Sequence, residues 1–186
     1  MWSSLKVLRP LSRPALLRCT LATTATNEGP LTLNCAQALI KAHEGESFSN
    51  ISKQDVTALQ GIGPKHQEQL HRLRLKTVAD MANYKFYHLA KAITVLAETE
   101  NEEGRLPESV MNINKGIDKA HEKQSFKQLV DAPVAALQGI SEASGETFKL
   151  LGVATIGDLG RLKYCRWAEA MQVAAKYEES MASSEK

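Results

Sequence analysis

A displacement of 78 residues lays this sequence on itself without a gap, and that repeat limits what the chain can become. KAHEGESF at 41–48 falls on KAHEKQSF at 119–126, and ALQGIG at 58–63 falls on ALQGIS at 136–141. LRLKTVADMANYKFYHLAKAITVLAETE at 73–100 falls on LGVATIGDLGRLKYCRWAEAMQVAAKYE at 151–178. Between 41–100 and 119–178, 22 of 60 positions are identical, and many others exchange one apolar residue for another. The expected organisation is a first helical unit at 28–100, a polar connector NEEGRLPES at 101–109, a second unit at 110–180 and a tail at 181–186.

Each unit reads as a short series of helices, so the expected fold class is all-α, with two tandem helical units. A first helix is expected around 32–44, ending near Gly45, and a second over about 52–59, turning Val56 and Leu59 inward and stopping at Gly61. Pro64 suits a first helical turn, where its missing N–H costs little. The third helix directs Leu70 and Leu73 to the core. Thr77-Val78-Ala79-Asp80 is an N-cap signature, and Thr155-Ile156-Gly157-Asp158 keeps both of its polar residues. In the last helix Phe86, Leu89, Ile93 and Leu96 stand at helical spacing, replaced by Tyr164, Trp167, Met171 and Ala174 in copy two. That period makes the aromatic stripe core rather than a base-stacking platform.

Between the second and third helices stands Gly61-Ile62-Gly63-Pro64. Glycines there permit positive φ and close backbone approach. Ile62 plugs inward, and N–H groups opening the next helix point outward, where with the helix dipole they can receive a phosphate. Leu59-Gln60-Gly61-Ile62-Gly63-Pro64-Lys65, followed by Leu70, Leu73, Leu75, Thr77, Val78 and Met81, resembles the helix-hairpin-helix superfamily. The resemblance covers 55–82, and 133–160 in degraded form. Members often bind DNA through its phosphates without reading sequence, which implies phosphate contacts at Gly61, Gly63 and Lys65. His66 and Arg72, from the local cluster of Lys65, His66, His71, Arg72, Arg74 and Lys76, complete the candidate site. Copy two has Ser141, Glu142 and Ala143 instead of Gly63, Pro64 and Lys65, and a carboxylate at a helix N-terminus repels phosphate. The competing reading of the first turn is a compact corner with a solvated basic face.

Residues 1–27 carry Lys6, Arg9, Arg13 and Arg18, no acid, and many Ser, Thr and Leu residues. This is the composition of a mitochondrial-type transit peptide, pointing to the matrix; a basic tail is the competing reading. Its removal lowers Lys+Arg from 23 to 19 against 21 acids, taking the net charge from +2 to −2. A near-neutral body gives no global argument for polyanion binding, so any nucleic-acid contact must be local. No apolar run is long enough for a membrane span.

Cys35 and Cys165 belong to no metal-ligand spacing, and Cys165, equivalent to Tyr87, is expected in the core. His43-Glu44 and His121-Glu122 lack the second histidine of a metalloprotease helix and read as structural pairs. With no phosphate-binding loop, dinucleotide fingerprint or carboxylate pair, no catalytic residue, metal or cofactor is expected. Two functions follow as expectations. One is a non-enzymatic mitochondrial binding or adaptor protein that contacts DNA or RNA backbone through the first hairpin and a protein partner elsewhere. The other is a structural or assembly subunit of a mitochondrial complex without nucleic-acid binding, packing through small residues such as Ala90, Ala92, Ala168 and Ala170.

Overall fold

The architecture is that of a computed structural model, which describes residues 33–179. The transit-peptide reading of 1–27 and the tail at 181–186 lie outside the described residues. Among the described residues eight α-helices succeed one another: α1 Phe48–Ile51, α2 Pro64–Arg72, α3 Val78–Ala82, α4 Lys85–Ala97, α5 Phe126–Asp131, α6 Glu142–Leu150, α7 Ile156–Gly160 and α8 Lys163–Ala174. Short 3-10 turns link them, and the described residues contain isolated bridges but no strand. The fold class is helical, as expected. No helix among the described residues is long and apolar enough to cross a membrane.

Local chemistry explains the helix starts. Thr77 Oγ1 accepts the Asp80 N–H at 3.1 Å, while Asp80 Oδ2 accepts the Thr77 N–H at 2.9 Å. Thr155 and Asp158 repeat this box with the same two distances. The first two helices expected from the sequence need correction. In place of a helix over 32–44 stand two 3-10 turns, Ala36–Ala38 and Lys41–His43. Leu39 between them is extended and bridges Leu59: the Ile40 N–H donates to the Ala58 carbonyl and the Gln60 N–H to that of Ala38, both at 2.9 Å. A residue spent on a bridge cannot continue a helix. The helix expected over 52–59 is likewise reduced to the 3-10 turn Val56–Ala58, with α1 already ended at Ile51, because Asp55 bridges Thr77. Ile117 with Leu137, and Pro133 with Thr155, make the corresponding bridges 78 residues on.

The long helices bury only part of the stripe their apolar pattern suggests: Ile93 and Met171 are buried, and Phe86, Leu89, Tyr164 and Trp167 pack at the edge of the core. In α4 the buried residues are Tyr87, Ala90, Ile93, Thr94 and Ala97, whereas Phe86 and Leu89 are half-buried and Leu96 is exposed. In α8 they are Cys165, Ala168 and Met171, with Tyr164, Trp167 and Ala174 half-buried. The cause is long-range. α4 packs on α7 and α5, and α8 packs on α3 and α1, so each closing helix is buried against elements of the other copy. Ala90 and Ala168, expected to serve a partner, are consumed by this internal packing, while Ala92 and Ala170 stay exposed. Gly160 marks the closest approach: an added Cβ would lie 2.7 Å from the Ala90 carbonyl oxygen and 2.5 Å from Thr94 Oγ1.

The exchange is tied off at both ends. The Glu100 carboxylate, just past α4, accepts the N–H groups of Phe126 and Lys127 at 2.9 Å each. Glu178, its equivalent past α8, accepts those of Phe48 and Ser49 at 2.8 and 3.0 Å. Each copy thus supplies the anionic cap for the first helix of the other.

Candidate nucleic-acid interface

At the turn Gly61–Pro64 the apolar residue points inward as the sequence suggests. Ile62 is buried, and Leu70 and Leu75 fix α2 to the core from the far side of the turn. The two glycines, however, differ. Gly61 has φ +97° and needs the freedom glycine provides, whereas Gly63 is extended at φ −90°, ψ 176°. Gly63 is exposed, and a Cβ there would meet nothing within 4 Å.

Gly63 opens α2 without a side-chain cap, and Pro64 follows at the first helical position. The Gln67 N–H closes onto the Gly63 carbonyl at 2.9 Å, which leaves the N–H groups of Lys65 and His66 ahead of the helical ladder. Both side chains are exposed. Gly63, Lys65 and His66 therefore form one accessible, electropositive end. The corresponding end of α6 is already satisfied, since Ser141 Oγ accepts the Ser144 N–H at 3.2 Å and Glu142 stands in the first turn.

The other two candidate residues are placed differently. Arg72, at the far end of α2, pairs with Glu68 at 2.6 Å, an exposed ion pair on the helix surface. Gly61 lies under α8: the Tyr164 hydroxyl donates to the Gly61 carbonyl at 3.1 Å. This contact steadies the turn and limits backbone approach from that side. It also brings in a residue that sequence reasoning missed. Lys163 Nζ lies 3.8 Å from where a Gly61 Cβ would be, over the rings of Tyr164 and Trp167 at 4.9 and 5.3 Å. The only sequence signal was the identity of Lys85 and Lys163 within the repeat; the contacts themselves, Tyr164 on Gly61 and Phe86 on Gly139, are long-range.

Behind the turn, Asp55 ties α2 to its preceding 3-10 turn. Its Oδ1 accepts the Thr57 N–H, the Thr57 hydroxyl and the Gln67 amide, all at 2.9 Å, and its Oδ2 meets His71 Nε2 at 3.0 Å. Burial pushes the Asp55 carboxyl up, but these hydrogen bonds outweigh it and hold the group below its ordinary value. His71 is thus a brace for the hairpin. The repeated histidines are braces too, though not through the adjacent glutamates: His43 Nδ1 meets Glu46 at 2.6 Å and His121 Nδ1 meets Gln124 at 3.0 Å. Among the described residues no group of three or more His, Cys, Asp or Glu side chains could hold a metal ion. No protein-family model, curated protein or solved structure matches the chain.

Proposed function

We propose that this chain is a non-enzymatic mitochondrial binding protein of tandem helix-hairpin-helix-like type, whose first hairpin contacts nucleic-acid phosphates without sequence specificity. The observation that carries this reading is the open start of α2, where exposed Gly63, Lys65 and His66 surround uncapped N–H groups, against the capped, acidic start of α6. Lys65 and Lys163 supply the local positive charge, His66 adds a ring N–H donor, and Gly63 lets a phosphate approach the backbone. Gly61 acts indirectly, by forming the turn. Arg72 adds charge along the same helix once it leaves Glu68. The mitochondrial address rests on the composition of residues 1–27.

The test is binding of labelled duplex DNA and single-stranded RNA across a salt series, using the full chain and the variants Lys65→Glu and Gly63→Glu. Neutralising about two or three phosphates gives a log–log salt slope of about −2 to −3 on duplex DNA. Loss of that component in both variants supports the site. Gly63 tolerates a side chain sterically, so its loss cannot be ascribed to a broken turn. Unchanged binding in both variants would leave the turn as a corner.

A structural or assembly subunit is the second reading, and one feature favours it. A cleft of about 480 Å³ runs beneath the connector, lined by Leu96, Leu106, Met111, Ile113 and Phe126 among others. Met111 and the adjacent Val110 are 80% and 89% exposed, an apolar edge of the kind that protein partners cover.

A further inference from the structure

The two copies are closed in unequal ways. α4 through α7 are consecutive in the chain, with α4 lying on α5 and α7, and α5 on α7. Copy one is instead closed from a distance, by α8 returning to cover α3 and α1. Lifting α8 away leaves α4, α5 and α7 on one another. The two covers also differ in what they bury. α4 buries Tyr87, Ile93, Thr94 and Ala97, where the equivalent residues are Cys165, Met171, Gln172 and Ala175, the last two only half-buried. α4 reaches the backbone of α7 at Gly160. The equivalent residue of α3 is the buried Ala82, whose methyl group bars so close an approach by α8.

Polar clasps supplement this thinner cover. The Tyr164 hydroxyl donates to the Gly61 carbonyl at 3.1 Å. The Glu169 carboxylate accepts from Lys91 at 2.6 Å and from Tyr87 at 2.8 Å. Glu178, just past α8, accepts the N–H groups of Phe48 and Ser49. All of these contacts are exposed or half-buried, where water competes for the same groups. We propose that α8 is a latch, which detaches as a unit while α4–α7 stay folded and in detaching frees the first hairpin. Opening takes the Tyr164 hydroxyl off Gly61 and Lys163 from beside it, releases Glu178 from α1, and uncovers Val78 and Met81. The latch therefore sets whether the Gly61 turn is held and whether its neighbouring cation is in place. It requires no ligand, so it stands or falls independently of phosphate binding at that hairpin.

Openings of this kind, even rare ones, are read by amide hydrogen exchange on the full chain at neutral pH, without ligand. After correction for intrinsic rates, amides of 167–171 in α8 are expected to exchange at least about tenfold faster than their equivalents 89–93 in α4. Glu178→Ala removes the clasp at α1, away from the hairpin. It is expected to speed α8 by about threefold to tenfold further. The hairpin should follow, because Gln60 and Ile62, whose N–H groups bond to the Ala38 and Leu59 carbonyls, lose their hold with the latch. α4 and α7 should keep their rates. Glu100→Ala, which removes the equivalent cap from α5, is expected to leave α8 and the hairpin unchanged. Exchange of α8 no faster than that of α4 would overturn the latch. So would a Glu178→Ala effect confined to α1 or shared equally by every helix. The comparison of α8 with α4 needs no variant, and it decides even if Glu178→Ala does not fold.

Discussion

Lys91 and Glu169 stand 78 residues apart, at the same position of the repeat, and their side chains meet with Nζ 2.6 Å from Oε2. Equivalent positions of the sequence repeat thus touch one another here. An unchanged duplicate would set like charges together at that point. Lysine opposite glutamate removes the repulsion, and the buried Tyr87 donates its hydroxyl to the same carboxylate oxygen at 2.8 Å.

Reversal of this pair makes the first prediction. Lys91→Glu is expected to destabilise the fold by about 1–2 kcal/mol, since it restores like charges beside a partly screened carboxylate. Adding Glu169→Lys should recover part of the loss. A double-mutant cycle in urea, with coupling below about 0.3 kcal/mol, would show that the contact contributes nothing specific.

Acid should loosen the molecule by the same logic. Burial pushes the Glu169 carboxyl up, but hydrogen bonds from Lys91 and Tyr87 prevail and hold it below 4.5. Burial also opposes the lowering at Glu100 and Asp80, where backbone N–H donors win; at Asp158 the Thr155 N–H is the leading cause of the lowering. A carboxylate whose folded value is depressed stabilises the fold fully above its unfolded value and loses that contribution as pH falls through the folded one. Stability is therefore expected to be level with respect to these groups above about pH 5 and to decline below it. Urea midpoints between pH 3 and 7 test this; a midpoint that rises toward pH 3 would contradict it.

How far the fold was legible follows from the range of the interactions. The boxes at Thr77 and Thr155 were readable because both partners lie within four residues. Ile62 was readable because its role is fixed by the turn it occupies. The repeat itself was plain, yet it carries no information on which copy a helix packs against. For that reason α4 was assigned the stripe Phe86, Leu89, Ile93 and Leu96, of which only Ile93 is fully buried, while exchange onto α7 turns Tyr87, Ala90 and Thr94 inward beside it. At the candidate site Gly63, Lys65 and His66 were named from local pattern and stand exposed at the start of α2, whereas Lys163 and Tyr164 arrive from about a hundred residues away. A short Gln- and His-bearing helix likewise gave no sign that its side chains converge on Asp55.

Gly160 is expected to be intolerant of enlargement. Gly160→Ala puts a methyl group against the Ala90 backbone, and the cost should be about 2–3 kcal/mol, within the range for overpacking. A fall in melting temperature of only a degree or two would mean that α4 and α7 separate more easily than their contact suggests.

Arg74 is held at φ +62° where α2 ends, and its equivalent Gly152 has φ +75°. Arg74→Gly should therefore stabilise by up to about 1 kcal/mol through relief of left-handed strain. A measured loss of stability would show that the arginine side chain contributes more than its backbone costs.

The Cys165 thiol is buried and pushed up to about 12, chiefly by desolvation. It should resist alkylation in the native state and react only after denaturation. Mass-spectrometric counting of labelled thiols, with Cys165→Ala as reference, distinguishes this from an accessible thiol.

The crossed glutamate caps have a consequence for synthesis. The first half cannot be finished when its own residues have left the ribosome, because α8 and Glu178 follow α4 and Glu100 by 78 residues. Val78 and Met81 wait until then for the helix that covers them. Contacts of such sequence separation close late, so the first copy is completed only after the second has been made. A nascent chain stopped in the connector would hold the first copy without its cover.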